Sequence, residues 1–104
     1  MTLQQFDAGL KQAFPDTYRT AAPKGKQRFV AWQSYRKIPI LGDDRNQLDA
    51  PKVQIDIVTN LPDDTLADDV CAALWSMDLP YSVESEGYDD DLAAFRTVLQ
   101  LVVI

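Results

Sequence analysis

The sequence contains no histidine, a single cysteine and no apolar run long enough to span a bilayer. Without histidine the commonest general base and metal ligand is missing, and histidine-based catalytic triads are excluded. The lone Cys71 cannot form an internal disulfide, so nothing indicates a secreted disulfide scaffold. The four glycines are isolated, which excludes a glycine-rich phosphate loop. Because no basic segment followed by an apolar run opens the chain, we expect a cytoplasmic protein without a signal peptide.

What the chain does contain is enough apolar material for one modest core. Hydrophobic residues make up 46% of the 104 residues, so we expect a single domain over residues 1–104. The formal net charge of -6 argues against binding through phosphate neutralisation and against anionic membrane surfaces. We therefore predict no specific nucleic-acid binding and no membrane association. The short basic group of Lys24, Lys26 and Arg28 is interpreted as a solvated loop.

Two segments carry apolar residues at helical spacing. The first predicts a helix that Thr2 caps and Pro15 ends, with a stripe formed by Leu3, Phe6, Leu10 and Phe14. The second predicts a helix that Asp63 caps and that runs to about Met77. Its stripe consists of Leu66, Val70, Leu74 and Met77, broadened by Ala67, Cys71 and Trp75.

Four other segments are rich in β-branched and aromatic residues and predict strands at 28–36, 52–60, 81–86 and 95–104. A polar loop at 40–50 separates the first two, and an acidic turn at 87–92 separates the last two. The predicted order is helix, strand, strand, helix, strand, strand. We therefore predict an α/β protein of the α+β type, with an antiparallel four-stranded sheet and two helices packed on one of its faces.

Carboxylate clusters are the remaining option for chemistry, because paired carboxylates can hold a divalent cation or transfer protons. They occur at 43–44, 68–69 and 89–91, and none matches a calcium-binding EF-hand loop. We interpret them as solvated surface, Cys71 as a buried structural thiol, and the aromatic residues Trp32, Tyr35, Trp75 and Tyr81 as core. The sequence thus predicts no enzyme activity and no catalytic, cofactor-binding or metal-binding residue.

Several segments together carry a resemblance to a known family. The strand at 51–59 contains Val-Gln-Ile-Asp-Ile and precedes a helix, and an acidic turn with a tyrosine follows late in the chain at 88–91. The other matching parts are 29–33, the loop with Asp43 and Asp44, the restart at 80–81 and the hydrophobic final strand. In these features the chain resembles the tail terminator (tail completion) proteins of long-tailed bacteriophages and prophages.

That resemblance implies an antiparallel sheet with two helices, assembled as a homo-hexameric ring without catalytic residues. Such a ring caps the tail tube, ends its polymerisation and joins it to the head connector. The implied partners are other copies of the chain, the tail tube protein and the head–tail connector protein. The implied locations are the bacterial cytoplasm during assembly and then the virion tail. Two alternatives stay open: a head–tail joining (neck) protein, and a small acidic protein-binding or inhibitor module.

Candidate contact residues follow from the residue pattern alone. The polar loop is long enough to reach a neighbour, and the polar face of the strand at 52–60 is available for contact. The final strand is apolar on both faces and needs more cover than two short helices provide, which a neighbouring subunit could supply. The predicted subunit or tube contacts are Leu41, Asp43, Asp44, Arg45, Gln54, Asp56, Val102 and Ile104.

Overall fold

The computed structural model describes residues 1–35 and 51–103, and in these it has two helices and five strands. In chain order they are α1 Leu3–Ala13, β1 Thr17–Arg19, β2 Phe29–Tyr35, β3 Lys52–Thr59, α2 Leu66–Ser76, β4 Tyr81–Asp89 and β5 Ala94–Val102. Within the described helices, none is both long and apolar enough to cross a membrane.

The five strands form one sheet in the order β1-β2-β3-β5-β4. β1 runs parallel to β2, and the other neighbours are antiparallel. The predicted α+β class with two helices is confirmed. The four predicted strands are present as β2 to β5 and pair antiparallel, but the sheet has five strands because β1 adds a parallel pair.

The extra strand lies in a segment that its prolines and glycine marked as a connection. Its three residues are too few to show a period-two pattern. They are held by backbone bonds at both ends, from Val30 N to Asp16 O (3.0 Å) and from Thr20 N to Trp32 O (2.6 Å). Thr17 is buried, and its hydroxyl donates to the carbonyl of Phe14 at 2.6 Å, which joins the end of α1 to the sheet.

The helix ends show which capping predictions hold. Thr2 caps α1 as predicted: its hydroxyl accepts from Gln5 N at 3.0 Å, and the Gln5 side chain accepts from Thr2 N at 2.8 Å. The predicted cap Asp63 is wrong. The N-cap of α2 is Thr65, and the Asp64 carboxylate accepts from Leu66 N at 2.9 Å in the first turn. The Asp64 carboxylate, one residue before the cap, also suits the positive end of the helix dipole.

Both helices pack against the same face of the sheet, called the covered face below, and form one core with it. Each helix contributes one apolar stripe, and β2, β3 and β5 contribute alternate residues. The core comprises Phe6, Leu10, Val30, Trp32, Val53, Ile55, Ile57, Leu66, Val70, Leu74, Leu79, Leu99, Leu101 and Val103.

One side chain assigned to the α2 stripe lies elsewhere than predicted. Trp75 is 78% exposed, so it does not broaden the buried stripe. Cys71 packs against the core but is half-buried rather than buried, and the nearby thiol raises the pKa of the Tyr81 hydroxyl. The buried aromatic anchor is Trp32 instead, which lies edge-to-face on Phe6 at 5.3 Å between ring centroids.

Trp32 also carries a polar contact out of the core. Its indole N–H donates to Asp7 Oδ1 at 2.8 Å, and Asp7 Oδ2 forms an ion pair with Lys11 at 2.9 Å. Burial raises the pKa of Asp7, but the Lys11 and Trp32 hydrogen bonds together outweigh it and hold that pKa below its ordinary value. α1 is thus fixed to the sheet by both an apolar and a charged contact.

The final strand is more sheltered than its composition indicates. β5 lies between β3 and β4, and Leu99 and Leu101 belong to the core. On its other side Val98 is 8% exposed and Val102 is half-buried. The expectation that this strand needs more cover than the two helices provide is therefore wrong for the covered face, where Leu99 and Leu101 are buried.

Candidate functional site: the open face of the sheet

The side of the sheet opposite the helices, called the open face below, is formed by the residues that alternate with the core. Cross-strand pairing sets them in rows, because paired residues of antiparallel strands point to the same side. The central row is Ala31, Asp56 and Val98. The flanking rows are Gln33, Gln54 and Gln100 on one side and Phe29, Val58 and Arg96 on the other. The next row, at the end of β3, is Tyr35, Lys52 and Val102.

Arg96 is the centre of the charged part of the open face. Its guanidinium lies between two carboxylates on the neighbouring strands, with Nη2 2.9 Å from Asp56 Oδ2 and Nη1 3.5 Å from Asp89 Oδ2. Asp56 Oδ1 also accepts from Gln54 Nε2 at 3.0 Å. β3, β5 and β4 are therefore tied together through side chains as well as through the backbone.

The cluster is only partly removed from water. The Arg96 side chain is 34% exposed, yet its Nε is buried and has no hydrogen-bond partner in the described part of the chain. With one cation between two anions, the cluster carries one net negative charge. Its carboxylate oxygens and guanidinium N–H groups are held in fixed positions at the surface by charge-assisted hydrogen bonds.

A second polar row lies nearer the other end of the sheet. Gln100 Nε2 donates to the hydroxyl of Tyr35, across the intervening β3. Ser82 Oγ lies 3.5 Å from the Gln100 carbonyl and 3.1 Å from Glu84 Oε1. Gln100, Tyr35, Ser82 and Glu84 are thus each held by a hydrogen bond, whereas the Gln33 side chain of the same row makes none within the described residues.

Small apolar residues lie between these polar rows. Ala31, Val58 and Val98 are 7%, 4% and 8% exposed, respectively. The longer polar side chains beside them give a surface of mixed composition. A face of this kind is stable in water, and its composition is also typical of non-obligate protein interfaces.

The structure brings together the predicted contacts that it describes. Gln54, Asp56 and Val102 are half-buried on the open face. The predicted contacts Leu41, Asp43, Asp44, Arg45 and Ile104 lie outside the described residues, as does the whole polar loop at 40–50.

Sequence reasoning missed the residues that complete this surface, namely Arg96, Asp89, Gln100 and Tyr35. The alternation of Arg96, Val98 and Gln100 was the available signal, but the apolar run that follows it dominated the interpretation. The register that places Arg96 against both Asp56 and Asp89 arises from strand pairing, which a single sequence does not display.

The acidic turn after β4 is a local structure. Asp89 Oδ1 accepts from the backbone N–H groups of Asp91 (2.9 Å) and Leu92 (3.1 Å), while its other oxygen lies near Arg96. The strand runs to Asp89, so the turn is shorter than predicted. Within residues 1–35 and 51–103, no group of three or more potential ligands is arranged to hold a metal ion.

Comparisons with known proteins identify no relative. No protein-family model matches the chain, and no curated protein has significant sequence similarity to it.

Proposed function

We propose that the protein is a structural subunit of a phage or prophage tail, which forms a ring on the tail tube, ends tube polymerisation and joins the tube to the head connector. The resemblance described above motivates the proposal. The observation that carries it is the open face, a sheet surface of fixed polar rows and small apolar residues opposite both described helices. A sheet with one covered and one wet face can be bound flat by another protein without loss of its own core.

The open face is assigned the contact with the tail tube. Arg96 with its two carboxylates supplies charged, directional groups, whereas Ala31 and Val98 are 7% and 8% exposed and leave little apolar area for contact. Charged groups of this kind fix the orientation of a partner more than they add affinity. Orientation is what a cap requires, since it must present its other side to the next component.

Capping is tested with the tail tube protein encoded by the genome that carries this chain. The tube protein is polymerised with and without the purified chain, and tube lengths are measured by negative-stain electron microscopy. We expect shorter tubes with the chain at one end. Tubes of unchanged length and without bound chain would refute the function.

A matched pair of variants locates the contact. Gln33 is exposed on the open face, and Gln4 is exposed on α1; neither makes a side-chain hydrogen bond within the described residues. Gln33→Arg is expected to weaken capping at least about tenfold, because a long cation is placed where the tube would lie. The same change at Gln4 is expected to leave capping intact. Equal effects of the two variants would remove the open face from the contact.

The same preparation separates the joining-protein alternative. Binding to the head–tail connector protein but not to the tube would indicate a neck protein. Binding to the connector at one side and the tube at the other agrees with the proposed terminator.

One observation favours a second candidate, the small acidic binding or inhibitor module. Glu84, Glu86, Asp90 and Asp91 are all exposed on β4 and its turn, and such a surface suits a basic partner. This candidate predicts a stable monomer whose tight binding to a cationic protein weakens steeply with salt.

A further inference from the structure

The two outer strands of the sheet carry charges of opposite sign. β4 forms one edge, and residues 80–95 around it contain five acidic and no basic residues. The acidic residues are Glu84, Glu86, Asp89, Asp90 and Asp91. Of these, Asp89 lies against Arg96, and the other four are exposed.

β1 forms the opposite edge, and the segment 17–28 contains four basic and no acidic residues. All four are exposed: Arg19, Lys24, Lys26 and Arg28. The loop that carries three of them folds beside β1, since Lys26 Nζ lies 2.8 Å from Asp16 Oδ1 at the start of that strand. Lys24 forms no ion pair within the described residues. Arg19, Lys24 and Lys26 are therefore gathered at the β1 edge, whereas Arg28 is paired with Asp64, 2.7 Å away, just before α2.

The β4 edge also offers apolar contact area. Val83 is 53% exposed and Tyr88 is 57% exposed, with the Tyr88 ring edge-on to Phe95 at 5.2 Å. The backbone is irregular between Val83 and Ser85, where a bulge shifts the register. A bulge and acidic side chains on an edge oppose indiscriminate strand pairing. They therefore favour a partner that brings complementary charge.

We propose that copies of this chain join head to tail, with the acidic β4 edge of one copy against the basic β1 edge of the next. Contact between two β4 edges, or between two β1 edges, places like charges together and is disfavoured. Contact between unlike edges pairs opposite charges and leaves one free edge of each kind, so the same contact repeats. A repeating heterologous contact produces a ring when its rotation closes and a filament when it does not.

The edge contact rests on the proposed function in one respect, namely that the repeat closes into a ring on the tail tube. The association itself needs only the two edges. It also leaves the open face available, because edges and faces are different surfaces of the sheet.

Charge reversal at each edge gives the test. The acidic-edge variant carries Glu84→Lys and Glu86→Lys, and the basic-edge variant carries Lys24→Glu and Lys26→Glu. Both are checked for cooperative unfolding by circular dichroism. Their mass in solution is then measured by size-exclusion chromatography with light scattering at about 100 μM protein, a concentration that reveals micromolar contacts.

The wild type is expected to form oligomers at about 50 mM salt and to dissociate at about 500 mM, because exposed charge pairs are screened. Each variant alone is expected to associate at least about tenfold more weakly, since the net charge that attracts its altered edge to the opposite edge is largely cancelled and the two substituted positions carry the sign of the opposite edge. An equal mixture of the two variants is expected to regain association, because the substituted lysines of one variant then meet the substituted glutamates of the other. The mixture is the matched control, as it contains all four substitutions.

A wild type that stays monomeric at low salt overturns the edge contact. So does an oligomer that neither variant weakens, or a mixture that fails to restore association when both variants are folded. Tube capping is measured on the same samples. If the variants and their mixture associate as expected but no sample caps tubes, the edge contact is retained and the tail function is rejected. If the wild type caps tubes but does not associate through its edges, the tail function is retained and the edge contact is rejected.

Discussion

The two faces of the sheet are built from the same strands and differ in what they contribute. On β3, Val53, Ile55 and Ile57 are at most 1% exposed against the helices, while Gln54 and Asp56, which alternate with them, are half-buried on the open face. Because successive side chains of a strand point to opposite faces, one set of β3 residues stabilises the core and the other set is available for contact. Changes on the covered face are expected to affect folding, and changes on the open face are expected to affect binding.

The largest expected effect is the loss of a core side chain. Ile55→Ala on the covered face is expected to reduce the free energy of unfolding by about 2–5 kcal/mol, because a fully buried side chain leaves a cavity between β2, β5 and the helices. Gln54→Ala on the open face is the matched control and is expected to cost about 1 kcal/mol or less. Urea titrations followed by circular dichroism measure both. Similar losses at the two positions would break the contrast between the faces.

The second largest effect is expected at an aromatic residue of the core, compared with one on the open face. Trp32→Phe is expected to cost about 1–3 kcal/mol, since Asp7 loses the indole N–H and the ring loses volume. Tyr35→Phe, which removes a hydroxyl bonded to Gln100 on the open face, is expected to cost less. The same urea titrations decide the order, and a larger cost at Tyr35 would contradict it.

The pH dependence of stability tests the contact that Asp7 on α1 makes with Trp32 and Lys11. The pKa of Asp7 is lowered on folding, so its contribution to stability is present above its unfolded value of about 3.9 and is lost as pH falls through the folded value. Hydrogen bonds from Arg28 and Lys26 also lower the pKa values of Asp64 and Asp16. Stability is therefore expected to fall below about pH 4, and Asp7→Asn is expected to flatten that fall without abolishing it. Thermal unfolding of the wild type and of Asp7→Asn from pH 3 to pH 7 measures this fall in stability. Identical pH profiles for the two would reject the role of Asp7.

The smallest expected effect is at the exposed tryptophan. Trp75→Ala on α2 is expected to change the free energy of unfolding by about 0.5 kcal/mol or less, because 78% of the residue is already in water. Urea titration checks this. A loss comparable to that of Trp32→Phe would place Trp75 in contact with the fold.

Sequence patterns predicted the parts of the fold that depend on neighbours along the chain. The α1 stripe with its Thr2 cap and the alternating strand at β3 both show many periods in sequence, and the structure confirms them. Sequence patterns failed where a feature depends on contacts between segments that are distant in sequence. β1 is three residues held by its pairing with β2. The α2 stripe predicted Trp75 as buried, but helical spacing alone does not reveal how much of the helix surface the rest of the fold covers.

The open face could be predicted only in part for the same reason. Alternation on β3 identified Gln54 and Asp56, whereas Arg96 joins them through the register between β3 and β5. The charge difference between the two edges was visible in the sequence as separate basic and acidic segments. Their placement on opposite edges required the strand order.

Because their surroundings differ, the two tryptophans are intrinsic fluorescence probes of two different events, unfolding and binding at α2. Trp32, enclosed by the core, should emit at shorter wavelength and resist quenching by iodide, whereas Trp75 should emit as in water and be readily quenched. The emission of Trp32 then reports unfolding. The quenching of Trp75 is expected to stay unchanged when the open face or the sheet edges are bound, because α2 lies on the covered face, and a loss of quenching would place a partner on α2 instead.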